Sequence, residues 1–491
     1  MMPGADYTVT SAQGPEDPPE TRLTVFAFLW AAYTLFHQAI ATWSYSPVDL
    51  ATSIAGIVLL CRPANLRLFL ILNLLQVINF YDRMPPELVN HAVINMVVSL
   101  TVLTAALRNW LRSGRKAIAA GDLYSHIAPI VRVELLIAYG WAAFHKYNAD
   151  FLHPSVSAAA EHYLRLGNRI HTATGLHLLP TDEWALVAAL VGVIVIETSV
   201  PLLLAFHATR MIGIAVALLF HFVLGVDLHA DFSAELYALL FFFTPADFLG
   251  VVRVRWSRFL HRVDPVRRAI AALRLPGTAW AMAGFFLGVV LIGNAWNRVG
   301  LAFLVLWGLY GLAVIAVFFW ALPEWFGRPP VFDRLRFPAP LFVVFPLLVL
   351  VNGACPYLGL KTRSCFAMFS NLRSELRGPE DRNNHLFMPS SLKLAGFQED
   401  LVRILESNDP LFAGPVTTGD YRTYFEFRRR ISDRAHRGIK NISVTYIRGG
   451  VQRTLTNAET DPELSRRYPY LMRKFLLFGD VSAGPRQKNR H

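Results

Sequence analysis

The chain has 491 residues, 54% hydrophobic and only 17% charged, with a formal net charge of +12. Water-soluble domains carry roughly 25% charged residues, so this composition excludes an ordinary soluble enzyme and points to a polytopic membrane protein. The basic excess is mostly arginine and comes with no nucleic-acid motif; cytoplasmic loops and lipid headgroups account for it, so the expected partner is the bilayer and not nucleic acid.

The opening stretch, MMPGADYTVTSAQGPEDPPE, is polar, proline-rich and slightly acidic, and it lacks the basic start of a secretory signal. Residues 1–21 are expected to form a disordered tail, with the first apolar run kept as a helix. Apolar runs of about 17–25 residues mark spanning helices. They fall near 23–43, 47–61, 66–80, 90–107, 127–147, 184–206, 210–227, 235–252, 278–295, 300–321 and 338–352, which predicts ten or eleven transmembrane helices. The expected fold class is an all-α polytopic membrane protein with a small C-terminal α+β extramembrane domain. Residues 22–252 form its core, with an external loop, 148–183, that holds a short helix (SAAAEHYLRL). A basic cytoplasmic loop, 253–277, leads to further spanning helices in 278–352, and 353–491 make up the C-terminal domain.

Loop charge sets the expected orientation. Arg62 and Arg67, then Arg108, Arg112, Arg115 and Lys116, then the arginines from Arg253 to Arg274, and finally Arg328, Arg334 and Arg336 all fall on one side if the N-terminus is cytoplasmic. The C-terminal domain is then external, in a bacterial cell beyond the plasma membrane. The last apolar run, FPAPLFVVFPLLVLVN, is short and holds three prolines. If it does not cross, the tail is cytoplasmic instead.

Within the tail, CPYLGLKTRSCFAMFSNL is aromatic-rich and suits a membrane surface. DYRTYFEFRRRISDRA reads as a helix, and NISVTYIRGGVQRTLTNA as a hairpin about Gly449–Gly450. PELSRRYPYLMRKFLLF reads as a final helix with a basic and an apolar face. Cys61 is expected to be a packed thiol. Cys355 and Cys365, if external, are free to form a disulfide or to stay as thiols; with His385 they make only a weak zinc ligand set.

The chemistry-bearing stretch is RVELLIAYGWAAFHKYNADF, 132–151, which carries Glu134 inside an apolar helix and His145–Lys146 at its end. Ionisable residues in a bilayer usually line a cavity or a reaction path. Asn90–His91 opens one helix at the same end where Lys146 closes the next, Glu197 sits deep in the 184–206 helix, and His221 lies in LLFHFVLGVD. Together they predict a polar cavity opening outward. An amine with a solution pKa of about 10.4 becomes a free base near neutrality when desolvation lowers that value by several units. Such a base, with a histidine to orient it or relay its proton, could deprotonate a lipid-soluble phenol or hydroquinone. The plainer reading is that Lys146 snorkels to the headgroups, His91 caps its helix, and Glu197 and His221 join packed helices.

His145-Lys146-Tyr147-Asn148-Ala149-Asp150-Phe151 resembles the Lys-Lys-Leu-Asp-Ala-Asp-Trp segment of the vitamin K-dependent gamma-glutamyl carboxylases, members of the wider HTTM membrane family. Asn90–His91 is similar to their upstream Asn-His pair, EHYLRL to their Tyr-Leu-x-Arg segment, and GVIVIETSVPLLLAF and LLFHFV to the helices that follow, so the resemblance spans about 65–250. It implies Lys146 as the base acting on reduced vitamin K and His91 as its assistant, with Arg165 carried over as a binding residue. Glu134, His145, Glu197 and His221 are expected to line the cavity. The sequence departs from the pattern at His145 and Phe151, and its tail does not resemble the large propeptide-binding domain of the animal carboxylases.

The resemblance implies a membrane enzyme that uses reduced vitamin K or menaquinol with oxygen and carbon dioxide, and needs no metal, to modify an external substrate such as the glutamates of a secreted protein or peptide. In the carboxylases, oxygenation of the hydroquinone furnishes the strong base that removes a glutamate γ-proton before carbon dioxide adds. Two other classes fit the same residues: a non-catalytic HTTM protein that binds a quinone or lipid or docks a secreted partner, and a transporter with Glu197 and His221 as a proton relay.

Overall fold

The computed structural model describes residues 16–41, 46–83, 89–114, 118–262, 284, 301–326, 329–377, 381–388 and 394–487. The expected span at 278–295 and most of the 253–277 loop lie outside these residues. Helices α1 (Pro19–Ala41), α2 (Pro47–Cys61), α3 (Leu66–Asp82), α4 (Asn90–Arg112) and α5 (Ala120–Phe144) pack in sequence. Helix α6 (Ala158–Thr174) follows, then α7 (Glu183–Ala205) and α8 (Arg210–Leu224). Local chemistry sets the starts: Pro47 takes the first turn of α2 behind a Ser46 cap that accepts from Asp49 N, and Asn65 caps α3 by accepting from Leu68 N. Trp30, Phe36, Phe69 and Trp307 are fully enclosed in the core between these helices.

Among the described residues, six helices are long and apolar enough to cross a membrane: α1, α4, α5, α7, α8 together with the wider turn that carries it on to Asp227, and α11 (Leu301–Ala321). Two of the expected spans are shorter apolar helices, α2 with 15 residues and the segment Pro340–Ala354, which ends in α12 (Val344–Ala354); α3, with 17 residues, is at the short end of span length. At 1.5 Å per residue, 15 residues reach about 22 Å against a hydrocarbon core of about 30 Å. The 235–252 run is not one helix but two, α9 (Ala230–Leu240) and α10 (Phe248–Arg262), bent by 100°. The cause is Thr244–Pro245: proline has no N–H to continue the ladder and holds Thr244 extended at ψ 154°. Arg22 fills the break, donating to Pro245 O at 2.7 Å and to Thr244 O at 3.2 Å. The first ten residues of the expected basic loop therefore belong to α10. The tail boundary moves too, since α1 begins at Pro19 and Asp17 accepts from Leu249 N and Gly250 N.

Although α12 is short, its segment runs the height of the bundle. Arg108 Nη2, near the end of α4, donates to Pro338 O at 2.8 Å, whereas Asn90 Oδ1, at the start of α4, accepts from Phe366 N at 2.7 Å. Eighteen helical residues separate these contacts, about 27 Å. On the way, Gly353 passes so close to Trp141 that a Cβ there would sit 2.1 Å from the indole. The chain after α12 therefore lies at the Asn90 and Lys146 end of the bundle.

The tail carries a four-stranded antiparallel sheet in the order β2-β1-β3-β4. Strand β1 (Leu401–Ser407) is not anticipated from sequence; β2 is Tyr421–Thr423, and the expected hairpin is β3 (Val444–Arg448) and β4 (Val451–Leu455) about Gly449–Gly450. The short helix α13 (Ala413–Thr418) precedes β2, and α14 (Tyr424–His436) lays Phe427 and Ile431 on the sheet core of Val402, Ile404 and Tyr446. The expected final helix shrinks to α15 (Tyr470–Phe475), bounded by Pro469. Cys355 and Cys365 are buried free thiols in one small cluster, not a disulfide; burial pushes the Cys365 thiol up to about 12.

Candidate functional site

Four of the candidate residues, far apart in sequence, meet. His91 at the start of α4, Lys146 just past α5, Glu197 in α7 and His221 in α8 line one cavity of about 200 Å³. Its walls are otherwise mainly apolar and aromatic, including Leu135, Val193, Phe220 and Phe232. Lys146 Nζ lies 2.7 Å from Glu197 Oε2 and is itself almost fully enclosed. Lys146 is thus not the lone desolvated amine that its apolar flanks suggest, but half of a buried ion pair.

The polar groups opposite are similarly held. His221 Nε2 and Tyr139 Oη are 2.7 Å apart. His91 Nε2 donates to Asp231 Oδ2 at 2.9 Å, and His37 Nδ1 donates to the same oxygen at 3.1 Å. Arg83 fixes these proton positions. It has only N–H donors, one of which lies 3.0 Å from His37 Nε2, so that nitrogen must be the acceptor and Nδ1 must carry the proton. Arg83 is paired in turn with Asp49 at 2.6 Å. The result is a buried chain, Asp49–Arg83–His37–Asp231–His91, that ends at the cavity wall with the His91 ring.

His37, His91 and Asp231 are close enough to share a metal ion. To bind one through Nδ1, His37 would have to turn its N–H toward the Arg83 guanidinium, donor against donor. The set therefore fits a hydrogen-bonded relay better than a metal site.

The remaining candidates lie elsewhere. Glu134 is fully buried between α4 and α5, where Oε1 accepts from Thr101 at 2.7 Å, and it does not reach the cavity. His145 points the opposite way from Lys146, accepting from Tyr357 Oη at 2.9 Å and donating to Cys365 O at 3.2 Å. Arg165 pairs with Glu161 and with Asp227, so it reaches the cavity wall only through Asp227, which also holds His162 at 2.5 Å. The motif around Lys146 therefore divides its labour. Asn148 closes the turn by accepting from Asp150 N and Phe151 N and clamps the tail by donating to Ser370 O; Asp150 takes Asn384 and the Gln487 backbone. Only Lys146 and Phe151 of the motif face the cavity.

The tail forms the cavity's cover through Phe366, Met368 and Phe369. Within eight residues of this cover, Ser364, Phe366, Phe369 and Asn371 have φ of 53–64°. Left-handed backbone costs a non-glycine residue roughly 1–2 kcal/mol, and it persists where surrounding contacts overrule it, commonly at functional sites.

Asp231, His37 and Tyr139 are the site residues that the sequence reading missed. A signal was present: Asp227, Asp231 and Glu235 recur every four residues in a mostly apolar stretch, a helical row of carboxylates. Fold and site together define a multi-pass helical membrane protein with a mainly apolar cavity edged by paired ionisable groups. Comparison with protein-family models, curated proteins and solved structures finds no match to this chain.

Proposed function

We propose that the chain is a membrane enzyme of the vitamin K-dependent carboxylase type, in which the Lys146–Glu197 pair takes up a proton from a hydroxyl of a reduced quinone. The observation that carries this reading is the convergence of that pair, the His91–Asp231 dyad and the His221–Tyr139 pair on one mainly apolar cavity. The cavity suits a flat, apolar ring with few hydroxyls: its aromatic walls accept the ring, and its polar groups converge from several helices. A bound reduced quinone would supply the oxygen-reactive ring.

The protein's part is to place and move protons. Lys146 and Glu197 share one mobile proton, and uptake of a second leaves the ammonium beside a neutral carboxyl. Asp231 holds the His91 ring with its Nε2–H committed, so Nδ1 can orient a hydroxyl or relay its proton. Phe366 and Phe369 give the cavity an apolar cover on the tail side, and each of these interactions is stronger beside an apolar wall than in water. Extension to glutamate carboxylation with carbon dioxide, on a secreted protein or peptide, rests on the resemblance of the Lys146 and His91 motifs.

The test is quinol epoxidation by purified protein with reduced vitamin K, and separately menaquinol, in oxygen. Wild type forms epoxide and Lys146→Ala does not. A folded wild-type sample that binds quinone without turnover, with the same affinity in Lys146→Ala, replaces this reading with the binding-protein one.

A further inference from the structure

A second cavity, of about 760 Å³, lies at the opposite ends of α4 and α5 from His91 and Lys146. It is polar and basic. Six arginines line it, from α1 (Arg22), α4 (Arg108, Arg112), α5 (Arg132) and the strand-like run before α12 (Arg334, Arg336), against the carboxylates of Glu16, Asp17 and Asp333. Two of the arginines are spent on structure. Arg22 donates to Tyr124 Oη and to the carbonyls at the α9–α10 break, and Arg132 donates to the carbonyls of Asp333 and Arg334.

The other four keep donors to spare. Arg108 uses Nη2 on Pro338 O, but its Nη1 is buried with no partner. The side chains of Arg112, Arg334 and Arg336 hold no hydrogen bond or ion pair among the described residues. Asp17, meanwhile, is committed to the start of α10, and the Asp333 carboxylate lies 3.9 Å from Arg22. The cavity thus keeps an excess of guanidinium groups over carboxylates, six to three, around a recess, with one buried donor unsatisfied. A buried donor left without an acceptor is costly, and guanidinium forks match the oxygens of a phosphate.

We infer that this cavity binds the phosphate group of an anionic ligand, with Arg108, Arg112, Arg334 and Arg336 as its donors. Two sources share that chemistry: a phospholipid headgroup, since the cavity sits where spanning helices end, and a soluble phosphomonoester. Loop charge assigns this end to the cytoplasm, so either source is at hand.

The experiment uses the full-length protein in a neutral detergent and reads its thermal unfolding temperature. One arm titrates phosphatidylglycerol against phosphatidylcholine in mixed micelles; the other titrates inorganic phosphate and glycerol 3-phosphate. Arg112→Gln/Arg336→Gln removes two donors that hold no structural bond. Arg255→Gln/Arg258→Gln removes the same charge from α10, outside the cavity. The expected result is saturable stabilisation of wild type by a phosphate-bearing ligand, weakened about tenfold or more in Arg112→Gln/Arg336→Gln and unchanged in the α10 variant. Saturation by phosphatidylglycerol alone assigns a lipid, and saturation by glycerol 3-phosphate or phosphate assigns a soluble ligand. Absence of saturable stabilisation in both arms, or equal weakening by the two double variants, overturns the proposal.

Discussion

The Lys146–Glu197 pair allows a sharp energetic test. At 2.7 Å, with an effective dielectric near 20, the attraction between two unit charges is about 6 kcal/mol, of the same order as the cost of removing both from water. Lys146→Met leaves Glu197 without its counter-charge in an apolar cavity, and Glu197→Met does the same to Lys146; each single variant is expected to lose about 3–5 kcal/mol. Lys146→Met/Glu197→Met removes both charges and fills their place with flexible apolar chains, so it should lie within about 1–2 kcal/mol of wild type. The assay is reversible unfolding in mixed micelles by titration with a denaturing detergent, followed by tryptophan fluorescence. The double variant should be more stable than either single one. Additivity of the two single effects within about 0.5 kcal/mol would refute the pairing, and with it the claim that Lys146 is held by Glu197 and not by the headgroups.

Three further outcomes follow from other parts of the chain. Asp231→Asn keeps the shape but removes the negative charge that His37 and His91 share, and an amide turned to accept from both rings sets its NH2 against the Phe232 N–H; under the proposed function, turnover should fall by about 10²-fold with little change in KM, and its pH profile should shift, whereas a merely structural role would lower active-protein yield alone. Glu426 in α14 is buried, which raises its pKa, but the Arg429 and Arg430 guanidinia outweigh that and bring it from 4.5 down to about 2. The native carboxylate is therefore favoured, so its contribution of about 3 kcal/mol is complete above pH 4.5 and is lost as pH falls toward 2; the amide protection factors of α14, corrected for the intrinsic exchange rate, should fall across that window and not between pH 5 and 7. Gly353→Ala would place a Cβ 2.1 Å from Trp141, costing about 1–3 kcal/mol in thermal unfolding, and Trp141→Leu in the same chain should recover part of it; equal stability of Gly353→Ala and wild type would disprove the close approach.

Much of the membrane half was legible because apolar run length is a direct consequence of bilayer thickness. Six of the expected spans correspond closely to α1, α4, α5, α7, α8 and α11. The errors have identifiable causes. The 235–252 run is apolar throughout, so hydropathy alone cannot register that Pro245 breaks it. Strand β1 has the sequence LVRILES, too short and too weakly alternating to separate from a helix turn, and it is defined by pairing with β3, some forty residues away. In the site, His91, Lys146, Glu197 and His221 could be recognised as ionisable residues in apolar runs. Their partners could not all be. His37 sits in α1, outside the stretch that resembles the carboxylases, and whether Glu134 or Glu197 faces Lys146 depends on helix rotation, which an all-round apolar helix does not reveal.

The pairing of ionisable groups bears on which ligand the cavity can serve. A lone amine in an apolar enclosure would be neutral at little cost and could accept a proton only by creating an unbalanced charge. Lys146 and Glu197 together are neutral, and uptake of one proton makes them cationic in a place where an isolated charge costs several kcal/mol. That step becomes favourable only when an anion appears beside the pair at the same moment. A ligand hydroxyl that gives up its proton supplies that anion, and one that is methylated does not, although its shape is nearly the same. Asp231 adds to this: its Oδ2 already accepts from His37 and His91 and its Oδ1 from the Phe232 N–H, so the ligand meets the relay at the His91 ring and not at the carboxylate. Under the proposed function, the cavity therefore selects by acidity as well as by shape, and the selecting element is the balance of charge between α4, α5, α7 and α9.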